Sequence, residues 1–441
     1  MWPSRRWRVR FALFAMVVGP GIITANVDND AGGIATYSVA GAKYGYQLLW
    51  VLIPTCILLV LVQEMCSRMG VVTGKGLSAL IRERFGFRAS FYLMIALVVT
   101  NLGNAIADFS GVVAGAGIFG IPSFIAAPLS AFILWHAVVK GTYQSVEKWF
   151  FVACFFYVAY VISGFLARPD WGAALRGTVV PRMRWDAGCL YMVVGIIGTT
   201  IAPWMQFYQQ ASVVEKGIPL KHYAYSRLDT ILGGVIVTVV CYFIVLTCAA
   251  TIHKNLEETK GQEAQTAAST RAGAPTSPEK KVTEINTAAD AAWALWPLAG
   301  ASCGVLFAIG LIAASHFGGC ILPISTATSV CEAMGWETGV SKRFAEAPHY
   351  YFIYTLMVVA GATVAAVASA KALISIMLLS QVINGVLLPV VVFFMLRITS
   401  DRSIMGDYVN GRLFNIAAWA GASLVAALSL TMVVLTLLGV G

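Results

Sequence analysis

The sequence predicts an all-helical protein that crosses a membrane many times, and three observations support that prediction. Hydrophobic residues make up 59% of the 441 residues and charged residues only 12%, whereas soluble domains carry roughly 25% charged residues. The mean hydropathy is +0.77. Apolar runs of about 20 residues, the length that spans a bilayer, recur along the chain. This composition excludes a soluble enzyme, a disordered chain and a disulfide-stapled secreted domain, since nine cysteines are too few for the last.

Eleven apolar runs are long enough to span the bilayer, and polar residues or glycine and proline separate them. Their limits are 11–40, 46–65, 90–118, 122–139, 148–166, 188–212, 229–250, 297–328, 350–370, 372–396 and 413–438. The first run is too long for one plain helix and carries polar residues at its middle, which predicts a break. Segment 251–290 is rich in Lys, Glu, Thr, Ala and Gly and is expected to be a solvated, partly flexible outer loop.

The distribution of positive charge predicts the orientation in the membrane. Most of the 30 lysines and arginines lie at the N-terminus and in alternate loops, which places the N-terminus in the cytoplasm and, after an odd number of spans, the C-terminus outside. A cleaved signal at residues 4–8 is the alternative, but no small-x-small site follows it. The net charge of +9 does not indicate nucleic-acid binding, because no soluble stretch is long enough to form a basic module.

Polar side chains inside the first span mark a candidate site, because ionisable groups in the hydrocarbon region are costly and usually functional. Two acids and two amides lie within residues 26–30, and Gly32 and Gly33 follow them. A helix through Asn26 and Asp30 would present both on one face. We expect this helix to unwind at the glycines and to release backbone carbonyls. Asp30, a carboxylate beside two glycines at bilayer depth, is the strongest candidate.

Three other spans carry polar residues at membrane depth. In span 6, Pro203 removes the helix hydrogen bond to the Thr199 carbonyl and leaves that oxygen available. A stripe on span 3 should face an interior aqueous path, and span 10 carries two amides three residues apart. These residues are Asn101, Asn104 and Asp108 on span 3, and Gln381 and Asn384 on span 10. The alternative is that amides only tie helices together and that Gly or Pro breaks serve packing.

The two interrupted spans, the first and the sixth, indicate an internal repeat. They lie five spans apart, and because five is odd, the second copy would enter the membrane in the opposite sense. Short similarity between residues 21–25 and 195–199 supports the repeat. We therefore expect inverted halves at 1–166 and 188–396, with 413–438 as an additional span. Inverted repeats with paired broken helices are typical of secondary transporters with a midplane site, and a carboxylate with exposed carbonyls suits a hard cation such as Mg²⁺ or Ca²⁺.

Several motifs of the first span and the segment after it are specific: Gly19-Pro20-Gly21, residues 30–36 and residues 40–50. They resemble the first span of the Nramp family of divalent-metal transporters. Residues 62–63, 68–77 and 81–86 are similar to the end of span 2 and the loop after it, and residues 306–311 to span 8. The resemblance covers most of the chain outside 251–290. It implies a LeuT-type fold, in which ten spans form two inverted halves and an eleventh span follows.

The departures from the family pattern concern the metal. Asp30 matches the family's metal-binding aspartate, but Gly33 stands where the family has a ligand asparagine. Ala202-Pro203-Trp204 stands where the family has Met-Pro-His. A methionine sulfur favours softer transition metals, whereas Mg²⁺ prefers oxygen and loses its waters reluctantly. The loss of the sulfur therefore removes discrimination against Mg²⁺, and the smaller residues leave room for a partly hydrated ion. This pattern resembles the Nramp-related magnesium transporters, a prokaryotic branch.

The family's proton route is also altered. It uses an aspartate and a glutamate on span 3, which align with Ala105 and Asp108, and the histidine that Trp204 replaces. The resemblance therefore implies uptake driven by membrane potential without proton coupling.

We expect a Mg²⁺ uptake transporter that tolerates Mn²⁺, a monomer in the prokaryotic cell membrane with no resident cofactor and no enzymatic activity. A proton-coupled Mn²⁺/Fe²⁺ Nramp transporter is the alternative, and a sodium-coupled carrier of organic solutes on the same fold is a more distant one. Asp30 would supply the charge, and Gly33 and Ala202 would supply space. The Thr199 carbonyl or hydroxyl and Gln381 would supply further oxygens, often through water, and Asn384 an outer contact. The expected metal-site residues are Asp30, Gly33, Thr199, Ala202, Gln381 and Asn384.

Overall fold

A computed structural model describes residues 19–140, 157–257, 301–340 and 342–439, with the backbone alone for 301–307. Over these ranges the chain contains helices and no strand, and nine helical stretches are long and apolar enough to cross a membrane. The predicted all-helical, polytopic fold class is therefore confirmed. The first predicted span is not among the nine because it is divided into two shorter helices. The span predicted at 148–166 begins outside the described residues.

The first five predicted spans correspond to six helices. They are α1 (Pro20–Val27), α2 (Ala31–Tyr44), α3 (Leu52–Thr73), α4 (Leu77–Ile118), α5 (Ser123–Lys140) and α6 (Val158–Leu166), and the short α7 (Trp171–Val179) follows them. Helices α3 and α4 extend beyond the apolar runs that predicted them, because polar residues continue each helix past the hydrocarbon region. Gly86, at φ +85°, interrupts α4 near its start, in a conformation that favours glycine.

The remaining spans follow in the predicted order. They are α8 (Ala187–Thr200), α9 (Pro203–Glu215), α10 (Tyr223–Cys248), α11 (Ala301–Met334), α12 (Pro348–Val367), α13 (Ala370–Thr399), the short α14 (Arg402–Met405) and α15 (Arg412–Leu437).

Helix α10 continues past its predicted end. A π-type turn over Ala249–His253 extends it, and the chain stays helical to residue 257. The first part of the predicted outer loop 251–290 is therefore helical, which corrects that boundary. Ile252 is buried against Ala42 of α2, and a ring nitrogen of His253 lies 3.0 Å from the Ala42 carbonyl. Packing against α2 thus outweighs the polar composition, and residues 258–290 lie outside the described part of the chain.

Helix α2 lies at the centre of the packing and contacts α4, α8, α10 and α13. Helices α4 and α11 pack along each other, and α8 packs on α13. Among the described spans, α15 leaves the largest share of its surface exposed. The interior therefore forms where the first and sixth predicted spans meet α4 and α13.

Candidate metal-binding site

The first break in the helices lies at residues 28–30, between α1 and α2. Asp30 is the N-cap of α2, with extended backbone, and its Oδ1 accepts the Gly33 N–H at 2.7 Å. The backbone carbonyl of Asn29 accepts a hydrogen bond from the Tyr157 hydroxyl at 3.1 Å. The side-chain oxygen of Asn29 accepts one from the Cys241 thiol at 3.2 Å. These contacts fix the non-helical segment against α6 and α10.

The break precedes the two glycines, contrary to the prediction that the helix unwinds at Gly32 and Gly33. Both glycines lie in the first turn of α2. The physical reason is the strong preference of aspartate for the N-cap, where its carboxylate accepts a backbone N–H that has no partner in the helix. Because the helix is interrupted between Asn26 and Asp30, the prediction that these two share a helical face is wrong as well.

Gly32 and Gly33 allow the close approach of other groups to Asp30. An ideal Cβ on Gly32 would lie 2.2 Å from Gln381 Nε2 and 3.3 Å from Asp30 Oδ1. On Gly33 it would lie 2.3 Å from the Asp28 carbonyl oxygen and 3.2 Å from Thr199 Oγ1. The absence of side chains here therefore brings α2, α8 and α13 together around the Asp30 carboxylate.

The second break lies at Ile201 and Ala202, where Pro203 occupies the first position of α9. Proline suits that position, because its missing N–H would have no helical partner there. The Thr199 hydroxyl is buried and has no hydrogen-bond partner within the described ranges. It is therefore available to a ligand. Ala202 is 2% exposed and supplies no side-chain donor.

Three amides from α4 and α13 form a buried cluster beside the first break. Asn104 Nδ2 donates to Asn384 Oδ1 at 3.3 Å, and Asn384 Nδ2 donates to Asn104 Oδ1 at 3.1 Å. Asn384 Nδ2 also donates to Gln381 Oε1 at 2.8 Å. Gln381 thus directs its Nε2 towards Gly32 and its oxygen towards Asn384. Binding of a cation by the Gln381 oxygen requires the opposite orientation of this amide.

The polar stripe on α4 is buried and faces other helices. Asn101 Nδ2 donates to Thr326 Oγ1 of α11 at 2.8 Å. An ideal Cβ on Gly318 of α11 would lie 2.5 Å from each carboxylate oxygen of Asp108. Neither oxygen has a hydrogen-bond partner among the described residues. The stripe is therefore interior, and Asn101 packs between helices, while the aqueous path expected beside the stripe stays a prediction.

The structure brings most of the predicted site residues together. Asp30, Gly33, Thr199 and Gln381 converge, and Asn384 joins them through its bond to Gln381. Ala202 lies three residues beyond Thr199 in the second break, without a described contact to Asp30.

Three further residues belong to this region but are absent from the predicted set of metal-site residues: Gly32, Asn104 and Asp28. The Asp28 carboxylate is buried, and its Oδ2 has no hydrogen-bond partner among the described residues. Asp28 shares the polar run that identified Asp30, so the sequence contained a signal for it. In the described part of the chain no three His, Cys, Asp or Glu side chains converge. The available donors are carboxylate, hydroxyl, amide and carbonyl oxygens, which suit a hard divalent cation.

Comparison with known proteins places the chain among metal transporters. The profile of the family described as natural resistance-associated macrophage protein-like (Nramp) matches residues 21–435. The divalent metal cation transporter MntH of Ralstonia nicotianae is 27% identical over 94% of this chain and 90% of that protein. The divalent metal cation transporter MntH 1 of Pseudomonas aeruginosa is 28% identical over 95% of this chain and 91% of that protein.

Solved structures share the fold at low sequence identity. The manganese transporter of Eremococcus coleocola, bound to an aromatic bis-isothiourea compound, is 20% identical with a TM-score of 0.72, covering 98% of this chain and 87% of that one. A nucleobase-cation-symport-1 family transporter bound to bromovinylhydantoin is 13% identical with a TM-score of 0.57. The match covers 94% of this chain and 92% of that one. These likenesses confirm the LeuT-type fold.

Proposed function

Because the chain belongs to the Nramp family of membrane metal transporters, it is a divalent metal cation transporter, and we propose that Mg²⁺ is its principal cargo. The observation that carries the proposal is Ala202 in the second break, where the resemblance expects a methionine. The donors that the described residues place around Asp30 are hydroxyl, amide and carbonyl oxygens, and such sites do not discriminate against Mg²⁺ as a thioether does.

The proposed site has one charged ligand and several neutral ones. Asp30 supplies the negative charge, and the unpartnered Thr199 hydroxyl and the Asp28 carbonyl beside Gly33 supply neutral oxygens. Gln381 would turn its amide to present Oε1, while Asn384 fixes its position from the outer side. Mg²⁺ retains part of its hydration shell. The Asp28 carbonyl fills the space beside Gly33, contrary to the expectation that Gly33 leaves room for waters, so the small side chain of Ala202 alone would leave that room.

We propose alternating access between two inverted halves, in a monomer of the prokaryotic cell membrane. The breaks in the first and sixth predicted spans are the feature that such repeats share. Membrane potential supplies about 2.3 kcal/mol per elementary charge per 100 mV, and therefore twice that for a divalent ion. This driving force requires no coupled proton, which fits the buried Trp204 at the position of the family's histidine.

Proton-coupled transport of Mn²⁺ or Fe²⁺ is the second candidate, and the comparisons favour it. The similar proteins reported above are named as transporters of divalent metal cations or of manganese. None of them is named as a magnesium transporter. Asp108, buried with both carboxylate oxygens unpartnered in the described structure, is a candidate proton carrier on α4. The two candidates differ in both cargo and proton movement, so one assay separates them.

Flux measurements on the purified full-length chain in liposomes test the proposal. With a Mg²⁺ dye or a pH dye inside and a negative-inside potential, we expect Mg²⁺ uptake without internal acidification, and competition between Mn²⁺ and Mg²⁺. Asp30→Ala should abolish this flux. Mn²⁺ uptake with acidification, without Mg²⁺ flux or Mg²⁺ competition, would replace the magnesium proposal by the second candidate.

A further inference from the structure

A basic cavity lies at the end of the bundle that is predicted to face the cytoplasm. It has a volume of about 420 Å³ and opens between the start of α4, the end of α13 and the first turns of α15. Three arginines line it, Arg84, Arg397 and Arg402, together with Asp401 and Trp419. It lies far along the chain from Asp30 and its partners, and the metal site uses none of these residues.

The cavity carries an excess of positive charge. Arg84 Nε pairs with Asp401 Oδ2 at 2.9 Å. The Ser403 hydroxyl and backbone N–H donate to Asp401 Oδ1 at 2.6 and 2.9 Å, and these hydrogen bonds hold the pKa of Asp401 below its usual value. Asp401 is therefore ionised and neutralises Arg84. Arg397 and Arg402 are exposed and have no ion-pair partner among the described residues, so two positive charges remain uncompensated.

The cavity borders a lipid-facing surface. Trp419 of α15 is 37% exposed, and its ring meets that of Phe393 edge to face, with centroids 5.9 Å apart. Phe393 and Val390, one and two turns before Arg397 on α13, are exposed apolar residues, and Ile416 of α15 is exposed as well. Tryptophan is typical of the boundary between hydrocarbon and headgroups. In the predicted orientation the arginines are therefore expected at headgroup level, directly beyond apolar surface.

We propose that this cavity binds the phosphate headgroup of an anionic phospholipid, whose acyl chains lie along the exposed faces of α13 and α15. Guanidinium groups bind phosphate oxygens in a planar, two-bond geometry, and basic pockets between spans on the cytoplasmic side are suited to anionic headgroups. The apolar surface beside the arginines favours a lipid over a soluble phosphate, because a soluble anion would gain nothing from it. The proposal is independent of which ion is transported.

Lipid binding to the purified full-length chain tests this inference. Native mass spectrometry would compare phosphatidylglycerol with phosphatidylcholine of the same acyl chains. We expect preferential binding of phosphatidylglycerol, weakened on the order of 30-fold in R397Q/R402Q, since two cationic groups near an anionic lipid are removed. R88Q is the matched control, because Arg88 is exposed near the same end of α4 and does not line the cavity. R397K/R402K keeps the charge without the two-bond geometry and should recover part of the binding.

The outcomes discriminate between the sources of phosphate. Equal binding of the two lipids, or equal loss in R88Q and R397Q/R402Q, would overturn the proposal. Displacement of phosphatidylglycerol by millimolar inorganic phosphate or glycerol 3-phosphate would also overturn it, since the cavity would then serve a soluble anion. An unchanged melting temperature of R397Q/R402Q separates its loss of binding from a failure to fold, whereas no recovery in an R397K/R402K variant that keeps its melting temperature contradicts a charge-based site.

Discussion

The carboxylate of Asp229 on α10 accepts the backbone N–H of Gly21 on α1, at 2.6 Å to Oδ2. Its Oδ1 lies 3.3 Å from the N–H groups of Gly19 and Ile22. Asp229 therefore caps the start of α1 from another helix, where the helix dipole favours negative charge. An ideal Cβ on Gly21 would lie 2.6 Å from the Thr230 nitrogen, so the two backbones also touch. These hydrogen bonds and the backbone contact therefore hold α1, the first half of the broken span, against α10 at the end of α1 that is predicted to face the cytoplasm.

Asp229→Asn should loosen this attachment. The amide carries no charge, and its NH₂ group would face backbone donors, so we expect a loss of about 2 kcal/mol in the stability of the contact. Hydrogen exchange at the amides of Gly21 and Ile22 should become faster, which mass spectrometry of peptides from α1 would detect. Asp407→Asn, at an exposed acid beyond α14, is the control and should leave exchange unchanged. Unaltered exchange in Asp229→Asn would show that backbone packing alone holds α1.

Gly33→Ala should disrupt transport through steric conflict. The added Cβ would lie 2.3 Å from the Asp28 carbonyl oxygen, so the first break must shift and displace Asp30. We expect metal flux to fall roughly 10- to 100-fold, in line with the effect of displacing a functional group by about 1 Å. Gly195→Ala on α8 is the matched control, because its Cβ would meet no atom closer than 3.4 Å. Similar flux in the two variants would contradict the placement of Gly33 in the site.

The sequence alone predicts the spans and the two breaks because their causes are local. Runs of apolar residues mark the helices, and Pro203 marks the second break within two residues. The first break lies at residues 28–30 and not at the two glycines where the sequence predicts it. Asp30 caps α2 through a hydrogen bond from the Gly33 N–H, and this bond outweighs the flexibility of the glycines. The polar composition of segment 251–290 also predicts a loop at Ile252, where the chain is helical because Ile252 packs on Ala42.

Contacts between distant helices are the part of the site that the sequence cannot supply. Gln381 lies against Gly32, and Asn384 pairs with Asn104 across α4 and α13. Nothing in the local sequence of α4 distinguishes Asn104 from Asn101, which only ties α4 to α11. The role of each amide depends on which helix it faces, and that is a property of the packing.

Asn384→Ala tests the amide cluster. When Gln381 turns its Oε1 towards the ion, its Nε2 would face Asn384, whose Oδ1 can accept it, so the loss of Asn384 should leave the metal-binding orientation without a partner and weaken metal binding by roughly 10- to 100-fold. Isothermal titration of the purified chain should show the same loss for Mg²⁺ and Mn²⁺, because a positioning amide does not distinguish the two. Ser375→Ala, at an exposed position of α13, should bind both ions normally. A loss confined to one ion would instead make Asn384 a selectivity residue.

Ala202→Met tests the origin of selectivity. Ala202 lies buried at the N-cap of α9, and a methionine there would offer a thioether at the second break. Sulfur binds transition metals better than Mg²⁺, so we expect Mn²⁺ to gain about tenfold over Mg²⁺ in competition flux assays. Ala202→Leu adds similar volume without sulfur and should slow both ions without changing their ratio. If Leu and Met shift the ratio equally, then volume at the second break sets the preference, and the oxygen-only argument for Mg²⁺ loses its support.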